Sequence, residues 1–276
     1  MGVVFILGFT LYSCEKDDID ASMNDAFDGS GVAPEILHTA GDLSIRYIAV
    51  RNAGKDKPTV IFVHGATGSS GDYYDYLKDT EFGKSINMIA VDRLGYGGSN
   101  RGKAEPSMEK QAASIFPILD ELAADSQPII FLGHPFGGPV IAKIAMDRPN
   151  DIDGLLFLAP AIDPDCEKFL LAGRLGCSIP GKWITGKSME VAAEEKVSHP
   201  SELKKMVDDW HKIQSKVIYV HGSKDGLVPY ENFAFAEKKL AHVNPNMVTI
   251  DGGNHFIPFQ KQNKVKAWIL TLANES

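Results

Sequence analysis

Short apolar runs recur along the chain, and each ends at a glycine, histidine, aspartate or proline. Thr59-Val60-Ile61-Phe62-Val63 runs into His64-Gly65, and Asn87-Met88-Ile89-Ala90-Val91 into Asp92. Pro128-Ile129-Ile130-Phe131-Leu132 ends at Gly133, Gly154-Leu155-Leu156-Phe157-Leu158 at Ala159-Pro160, and Lys216-Val217-Ile218-Tyr219-Val220 at His221. Met247-Val248-Thr249-Ile250 is the last such run. Continuous β-branched and apolar runs of this length suit strands buried on both faces of a parallel sheet. Glu35 to Asn52 instead alternates, which predicts two strands joined by the turn Ala40-Gly41-Asp42. Between the runs the period changes. Met108, Ala112, Ile115, Ile118 and Leu122 fall on one face of a helix over 107–123, and helices are predicted over 138–146, 231–240 and 256–272. Strands alternating with helices of this length give βαβ units with a mostly parallel central sheet.

The segment from about 163 to 215 breaks this rhythm. Leu170-Leu171, Trp183-Ile184, the stretch 189–193 and the stretch 203–210 read as helical. A connection this long is more than a simple loop, so it is expected to be a helical cap inserted after strand six. Phe169, Leu170, Trp183 and Ile184 fit an apolar pocket wall and fit buried cap packing equally well.

The N-terminus has its own pattern. Val3-Val4-Phe5-Ile6-Leu7-Gly8-Phe9-Thr10-Leu11 is apolar and is followed by Tyr12-Ser13-Cys14. An apolar run of this length before small residues has the form of a secretory signal. Leu11-Tyr12-Ser13-Cys14 resembles the lipobox of bacterial lipoproteins, which implies lipidation at Cys14 and a place in the bacterial cell envelope, with membrane attachment through that anchor. The other reading is a buried N-terminal strand or helix. Glu15-Lys16-Asp17-Asp18-Ile19-Asp20 and the polar stretch after it read as a flexible tether, resembling the acidic segment behind the lipidated cysteine of surface lipoproteins in Bacteroidetes. The expected organisation is a signal segment over 1–14, a tether over 15–33 and one domain over 34–276.

Composition changes the picture in a few places. The chain has 276 residues and a formal net charge of −8 with no basic run, which excludes a nucleic-acid partner of the usual phosphate-binding kind. No stretch of about 18 apolar residues is present, so no membrane-spanning helix is expected. No cofactor and no metal is expected. Cys166 and Cys177 could pair in an oxidising compartment or stay as buried thiols.

The candidate chemistry sits where the strands end. In an open parallel sheet, ligands bind beyond the carboxyl ends of the strands. Those positions hold His64-Gly65-Ala66-Thr67-Gly68, Asp92-Arg93 with Gly95, Gly97 and Gly98, Gly133-His134-Pro135-Phe136-Gly137, His221-Gly222-Ser223-Lys224-Asp225, and Gly252-Gly253-Asn254-His255. The third has the spacing of a Gly-x-Ser-x-Gly nucleophile elbow, where a strand turns sharply into a helix. With these motifs in this order, residues 35–273 resemble the α/β-hydrolase superfamily, of the esterase, lipase and peptidase type with a cap. The resemblance implies an acid at Asp225, a base at His255, and an oxyanion hole from the backbone N–H groups of Ala66 and Phe136. His64, Asp92 and Arg93 read as structural, and the partner that the resemblance implies is a small-molecule ligand or ester-like substrate.

This chain departs from the family at one position. Pro135 stands where the serine belongs, and proline has no atom that can attack a carbonyl carbon. The family's elbow serine sits at positive φ, whereas the proline ring fixes φ near −65°. The turn is therefore expected to relax, and the Phe136 N–H to move with it. Proline is also favoured in the first turn of a helix. Three functional readings stay open: a protein that has lost serine-hydrolase chemistry and binds an acyl or peptide-like ligand; an active ester or amide hydrolase with a substitute nucleophile or a His255-activated water; and a cofactor-independent lyase-type enzyme. Ser69, Ser70, Ser99, Cys166 and Cys177 are the candidate substitutes, although none lies in an elbow.

Overall fold

The computed structural model describes residues 19–123, 127–166 and 187–275. Eight strands form one sheet: β1 (Glu35–His38), β2 (Arg46–Val50), β3 (Thr59–Val63), β4 (Asn87–Val91), β5 (Ile129–Gly133), β6 (Gly154–Leu158), β7 (Lys216–Gly222) and β8 (Asn246–Ile250). Their order across the sheet is β1-β2-β4-β3-β5-β6-β7-β8. β1 and β2 pair antiparallel, and β2 pairs antiparallel with β4. All other pairs are parallel, so β3 to β8 deliver their carboxyl ends to one edge. The α/β-hydrolase fold expected from the sequence is the fold observed.

The apolar runs bury both faces because successive side chains alternate sides. Ile61, Val63, Ile89, Val91, Phe131, Leu155 and Phe157 belong to one core layer. Val60, Phe62, Met88, Ala90, Ile130, Leu132, Leu156 and Leu158 belong to the other. Helices cover both layers: α1 (19–27), α2 (Tyr74–Leu77), α3 (Met108–Ala113), α4 (Phe116–Leu122), α5 (Gly137–Asp147), α6 (Lys187–Met206), α7 (Asn232–Lys239), α8 (Ile257–Gln260) and α9 (Gln262–Glu275).

Three expectations need correction. The single helix over 107–123 is two, α3 and α4. Pro117 has no N–H to donate to the carbonyl of residue 113, and its ring crowds that carbonyl; the chain steps through tighter turns at Ile115 and Ile118. The helix over 256–272 is also two, with Lys261 at φ −127° separating α8 from α9. The tether over 15–33 fails from residue 19 onward. Ile19, Met23 and Phe27 recur every fourth residue, one face of a helix, and Met23, Phe27 and Val32 are buried in the second core layer. Phe27 meets Tyr74 edge to face at 5.2 Å. Asp20 pairs with the buried Arg46 at 2.8 Å.

The cap segment contributes α6, whose buried residues Val191, Glu195, His199, Glu202 and Met206 follow one helical face. Cys14, Phe169, Leu170, Leu171, Cys177, Trp183 and Ile184 lie outside the described residues.

Candidate functional site

The elbow keeps its backbone crowding. A Cβ on Gly133 would lie 2.6 Å from the Gly137 carbonyl oxygen, and one on Gly137 would lie 2.0 Å from that of Val63. Only glycine fits at either position, which is why both ends of the motif are glycine.

Pro135 has the relaxed geometry that its ring demands. The non-glycine residues at positive φ among the described residues are Thr67, Asn100, Ala159 and Asn244; the elbow residue is not one of them. Phe136 has helical φ −72° and ψ −24°. The Gly137 N–H donates to the His134 carbonyl at 3.4 Å and the Gly138 N–H to that of Pro135 at 3.2 Å. Successive i to i+3 bonds of this kind make the elbow a tight first turn leading into α5. The Ala161 N–H, beyond β6, also donates to the Pro135 carbonyl, at 3.1 Å.

The ring of Pro135 rests on the loop after β3. A Cβ on Gly65 would come within 2.2 Å of Pro135 Cδ and 3.0 Å of the His134 carbonyl oxygen. Proline thus abuts the backbone just before Ala66, whose N–H the resemblance assigns to the oxyanion hole.

That loop is built from inside. The Arg93 N–H donates to His64 Nε2 at 3.0 Å, so the His64 proton sits on Nδ1 and is given to the Gly65 carbonyl at 2.6 Å. Burial, and then the Arg93 charge, hold His64 well below the usual imidazole range. Asp92 accepts from the Ser70 N–H at 2.7 Å, the Gly98 N–H at 2.8 Å and Arg46 Nη1 at 2.9 Å. His64, Asp92 and Arg93 therefore hold loops.

Asp225 and His255 meet across the ends of β7 and β8. His255 Nδ1 donates to Asp225 Oδ2 at 2.7 Å. The other carboxylate oxygen accepts from the Leu227 N–H at 2.8 Å and the Val228 N–H at 2.9 Å. Burial pushes the Asp225 carboxyl up, but the hydrogen bonds from His221, His255 and Val228 outweigh it and keep the group well below the usual carboxylate range. A permanently charged carboxylate on Nδ1 fixes the imidazole tautomer and turns the basic Nε2 away from it. Such a pair can take a proton from an attacking group.

His134 joins this pair to the elbow. Its Nε2 donates to the His255 carbonyl at 3.0 Å, and the two rings lie 4.6 Å apart. Burial, then the neighbouring His255, push His134 down to about 3, so it is neutral. The imidazole at 255 therefore lies against the residue preceding Pro135, and the structure brings together the three predicted positions 135, 225 and 255.

Sequence reasoning assigned no role to four residues here. His221 lies 3.5 Å from Asp225 Oδ2 and bonds the Tyr219 hydroxyl at 3.1 Å; its place in His-Gly-x-x-Asp was the available signal. Glu195, on the cap helix, makes a fully buried two-pronged pair with Arg93, Oε1 to Nη1 at 2.9 Å and Oε2 to Nη2 at 3.2 Å. The Tyr96 hydroxyl donates to it at 2.6 Å. His199, one turn on, donates to the Ala161 carbonyl at 2.9 Å and packs edge-on against Phe136 at 4.5 Å. The Arg93 guanidinium lies 4.6 Å from the Phe136 ring centre. The residue after Pro135 is thus enclosed by the cap.

Among the described residues, each candidate substitute nucleophile has contacts away from the Asp225–His255 pair, and Cys177 lies outside them. Ser69 Oγ accepts from the Gly71 N–H, Ser70 Oγ from Arg46, and Ser99 Oγ donates to the Asp92 carbonyl. The Cys166 thiol is pushed up to about 11, by burial first and then by Asp163, which suppresses the reactive thiolate.

Sheet order, elbow, Asp225–His255 pair and cap define an α/β-hydrolase. The chain belongs to the serine aminopeptidase S33 family, whose model matches residues 54–209, more than half of its length. A 1-acylglycerol-3-phosphate O-acyltransferase from Arabidopsis thaliana is 32% identical over 113 residues, 40% of this chain and 27% of that protein. The chain thus spans about a quarter of that relative's length. A proline iminopeptidase from Pestalotiopsis fici is 22% identical over 263 residues, 79% of this chain and 92% of that protein. The carboxylesterase structure from Bacillus subtilis superposes with a TM-score of 0.63 at 16% identity, covering 94% of this chain and 98% of that one, a likeness of fold.

Proposed function

We propose that this chain is an α/β-hydrolase-fold protein impaired or inactive as a serine hydrolase, which keeps the acyl-binding end of the fold as a ligand site. One observation carries the reading: a proline ring, in the turn before α5 and seated on Gly65, occupies the elbow position beside the Asp225–His255 pair. Asp225 and His255 take the acid and base positions, and Ala66 and Phe136 those of the oxyanion donors. Removing the serine of a working triad costs on the order of 10⁶ in kcat, about 8 kcal/mol of transition-state stabilisation. The ligand class is an ester, thioester or amide of small size. The reading includes attachment to a bacterial cell envelope through lipid at Cys14, supported by the lipobox-like Leu11-Tyr12-Ser13-Cys14.

A second reading is favoured by the intact Asp225–His255 hydrogen bond. The pair would activate a water directly on an ester or amide, or move a proton in a lyase-type reaction, each worth roughly 10²–10⁴-fold.

Pro135→Ser separates these readings. The natural chain is expected to resist a fluorophosphonate probe and to leave p-nitrophenyl esters intact, and the variant to label at residue 135 and hydrolyse them. Covalent labelling of the natural chain would overturn the reading and name the nucleophile. Ester turnover by the natural chain without labelling, abolished by His255→Ala, would establish the second reading. An inert Pro135→Ser variant that melts like the natural chain would show that the rest of the site no longer supports acyl transfer.

A further inference from the structure

All large apolar side chains exposed among the described residues lie at one end of the molecule. Met189 and Val197 are on α6 of the cap, Leu227 follows Asp225, Phe256 follows His255, and Phe259 is in α8; they are 41–61% exposed. α6 crosses the carboxyl edge of the sheet, as its contacts with Arg93, Ala161 and Phe136 fix. Leu227, Phe256 and Phe259 stand on the loops and short helix that follow β7 and β8 at the same edge. The clefts at the opposite edge mix charged residues, among them Arg51, Lys55, Lys57, Glu121 and Asp153, with the apolar Leu122 and Ile129. Exposed apolar side chains gathered on one face mark an interaction surface.

The path of the chain indicates what that surface meets. α1 begins at this edge, where Ile19 and Ser22 share a pocket of about 380 Å³ with Thr67, Gly68 and Ser188. In the sequence, the apolar run Val3 to Leu11 precedes this helix. The eight steps from Leu11 to Ile19 reach at most roughly 29 Å, and the five from Cys14 at most roughly 18 Å. A run of this length is too short to cross a bilayer but long enough to enter its surface. Whichever of the run and a lipid at Cys14 the protein keeps, the group that seeks lipid is held close to the apolar face. The salt bridge between Asp20 and Arg46 and the buried Met23 and Phe27 prevent α1 from swinging away.

We propose that the carboxyl edge of the sheet, carrying Val197, Leu227, Phe256 and Phe259 around the site, is a bilayer-contacting face, and that the protein sits with the site towards the lipid. Membrane contact is then made by the folded domain as well as by its N-terminus. The proposal does not depend on whether residue 135 supports catalysis.

The test uses the full-length chain with phosphatidylcholine vesicles whose acyl chains are dibrominated. Tryptophan is introduced separately by Val197→Trp and Phe256→Trp, and by Asn150→Trp at the opposite edge. Added emission at 197 and 256 is expected to fall by about twofold or more on vesicle binding, while that at 150 is unchanged. Quenching at 150 equal to that at 256, or none at 197 and 256 while the chain floats with the vesicles, would overturn the proposal. So would protection of these positions by self-association without lipid. Val197→Asp with Phe256→Asp, at an unchanged melting temperature, is expected to lower vesicle partitioning by about tenfold; unchanged partitioning would also overturn it.

Discussion

Glu195→Ala should loosen the cap and destabilise the whole domain. Both side chains of the Arg93–Glu195 pair have no exposed surface. Glu195 receives two bonds from Arg93 and one each from the Tyr96 hydroxyl and Gln111 Nε2. Truncation leaves a guanidinium buried without its counter-charge, and breaking a buried pair in this way costs about 3–5 kcal/mol. For a domain of this size, each kcal/mol lowers the melting temperature by about 2–4 °C, so a fall of about 6–20 °C is expected. Removing both charges with Arg93→Met and Glu195→Met should restore part of the loss. The restoration is limited by two further roles of Arg93: its Nε donates to the His64 carbonyl at 2.9 Å, and its guanidinium stacks on Phe136 and Tyr96. The double variant should therefore be less destabilised than the two single variants added together, by about 2 kcal/mol. Urea and thermal unfolding followed by circular dichroism measure all four variants. A cost below about 1 kcal/mol for Glu195→Ala is the behaviour of a surface pair and would refute the buried clamp.

Acid should destabilise the protein in a window set by its buried histidines. Burial pushes His134 and His199 down to about 3, with His255 and Lys196 respectively as the next causes, and holds His64 lower than usual. The unfolded chain binds those protons below about 6.5 and the folded one does not, so stability is complete above that pH and falls towards pH 3, by up to about 1.4 kcal/mol per pH unit for each histidine. Asp225, whose folded carboxyl is depressed, adds to the loss below about pH 4. Urea midpoints that stay flat between pH 6.5 and 4.5 would contradict this. Gly65→Ala should cost about 1–3 kcal/mol because its methyl meets the Pro135 ring, and clearly less in a Pro135→Ser background. Equal costs in the two backgrounds, measured by thermal melting, would show that the ring and the loop do not touch.

All eight strands were legible in the sequence: the central ones because runs such as Thr59–Val63 are buried on both faces and end at a residue that breaks the pattern, the outer ones from alternation or a short apolar run before a turn. Asp225 and His255 were legible for a related reason: each follows a strand inside a glycine-bearing motif. Helix boundaries were less so. Pro117 stops a helix whose apolar spacing continues across it, and spacing records which face is buried rather than which N–H is missing. Glu195 was not legible, since a glutamate on an amphipathic helix looks solvated until its partner, 102 residues away, is brought alongside. α1 was hidden by composition, because the acidic residues that suggested a tether include Asp20, which closes the ion pair with Arg46.

The docking of α1 bears on where the folded unit begins. A recombinant fragment started at residue 34, the boundary suggested by composition, would strip Asp20, Met23 and Phe27 from their seats. Arg46 would lose one of its two carboxylates, and a gap would open beside Tyr74. The aspartate that anchors Ser70, and through it the stretch leading from Ala66, would then depend on a cation with half its former support. Truncated versions made for assay would show a slack site of their own making, which a cut placed ahead of residue 19 avoids.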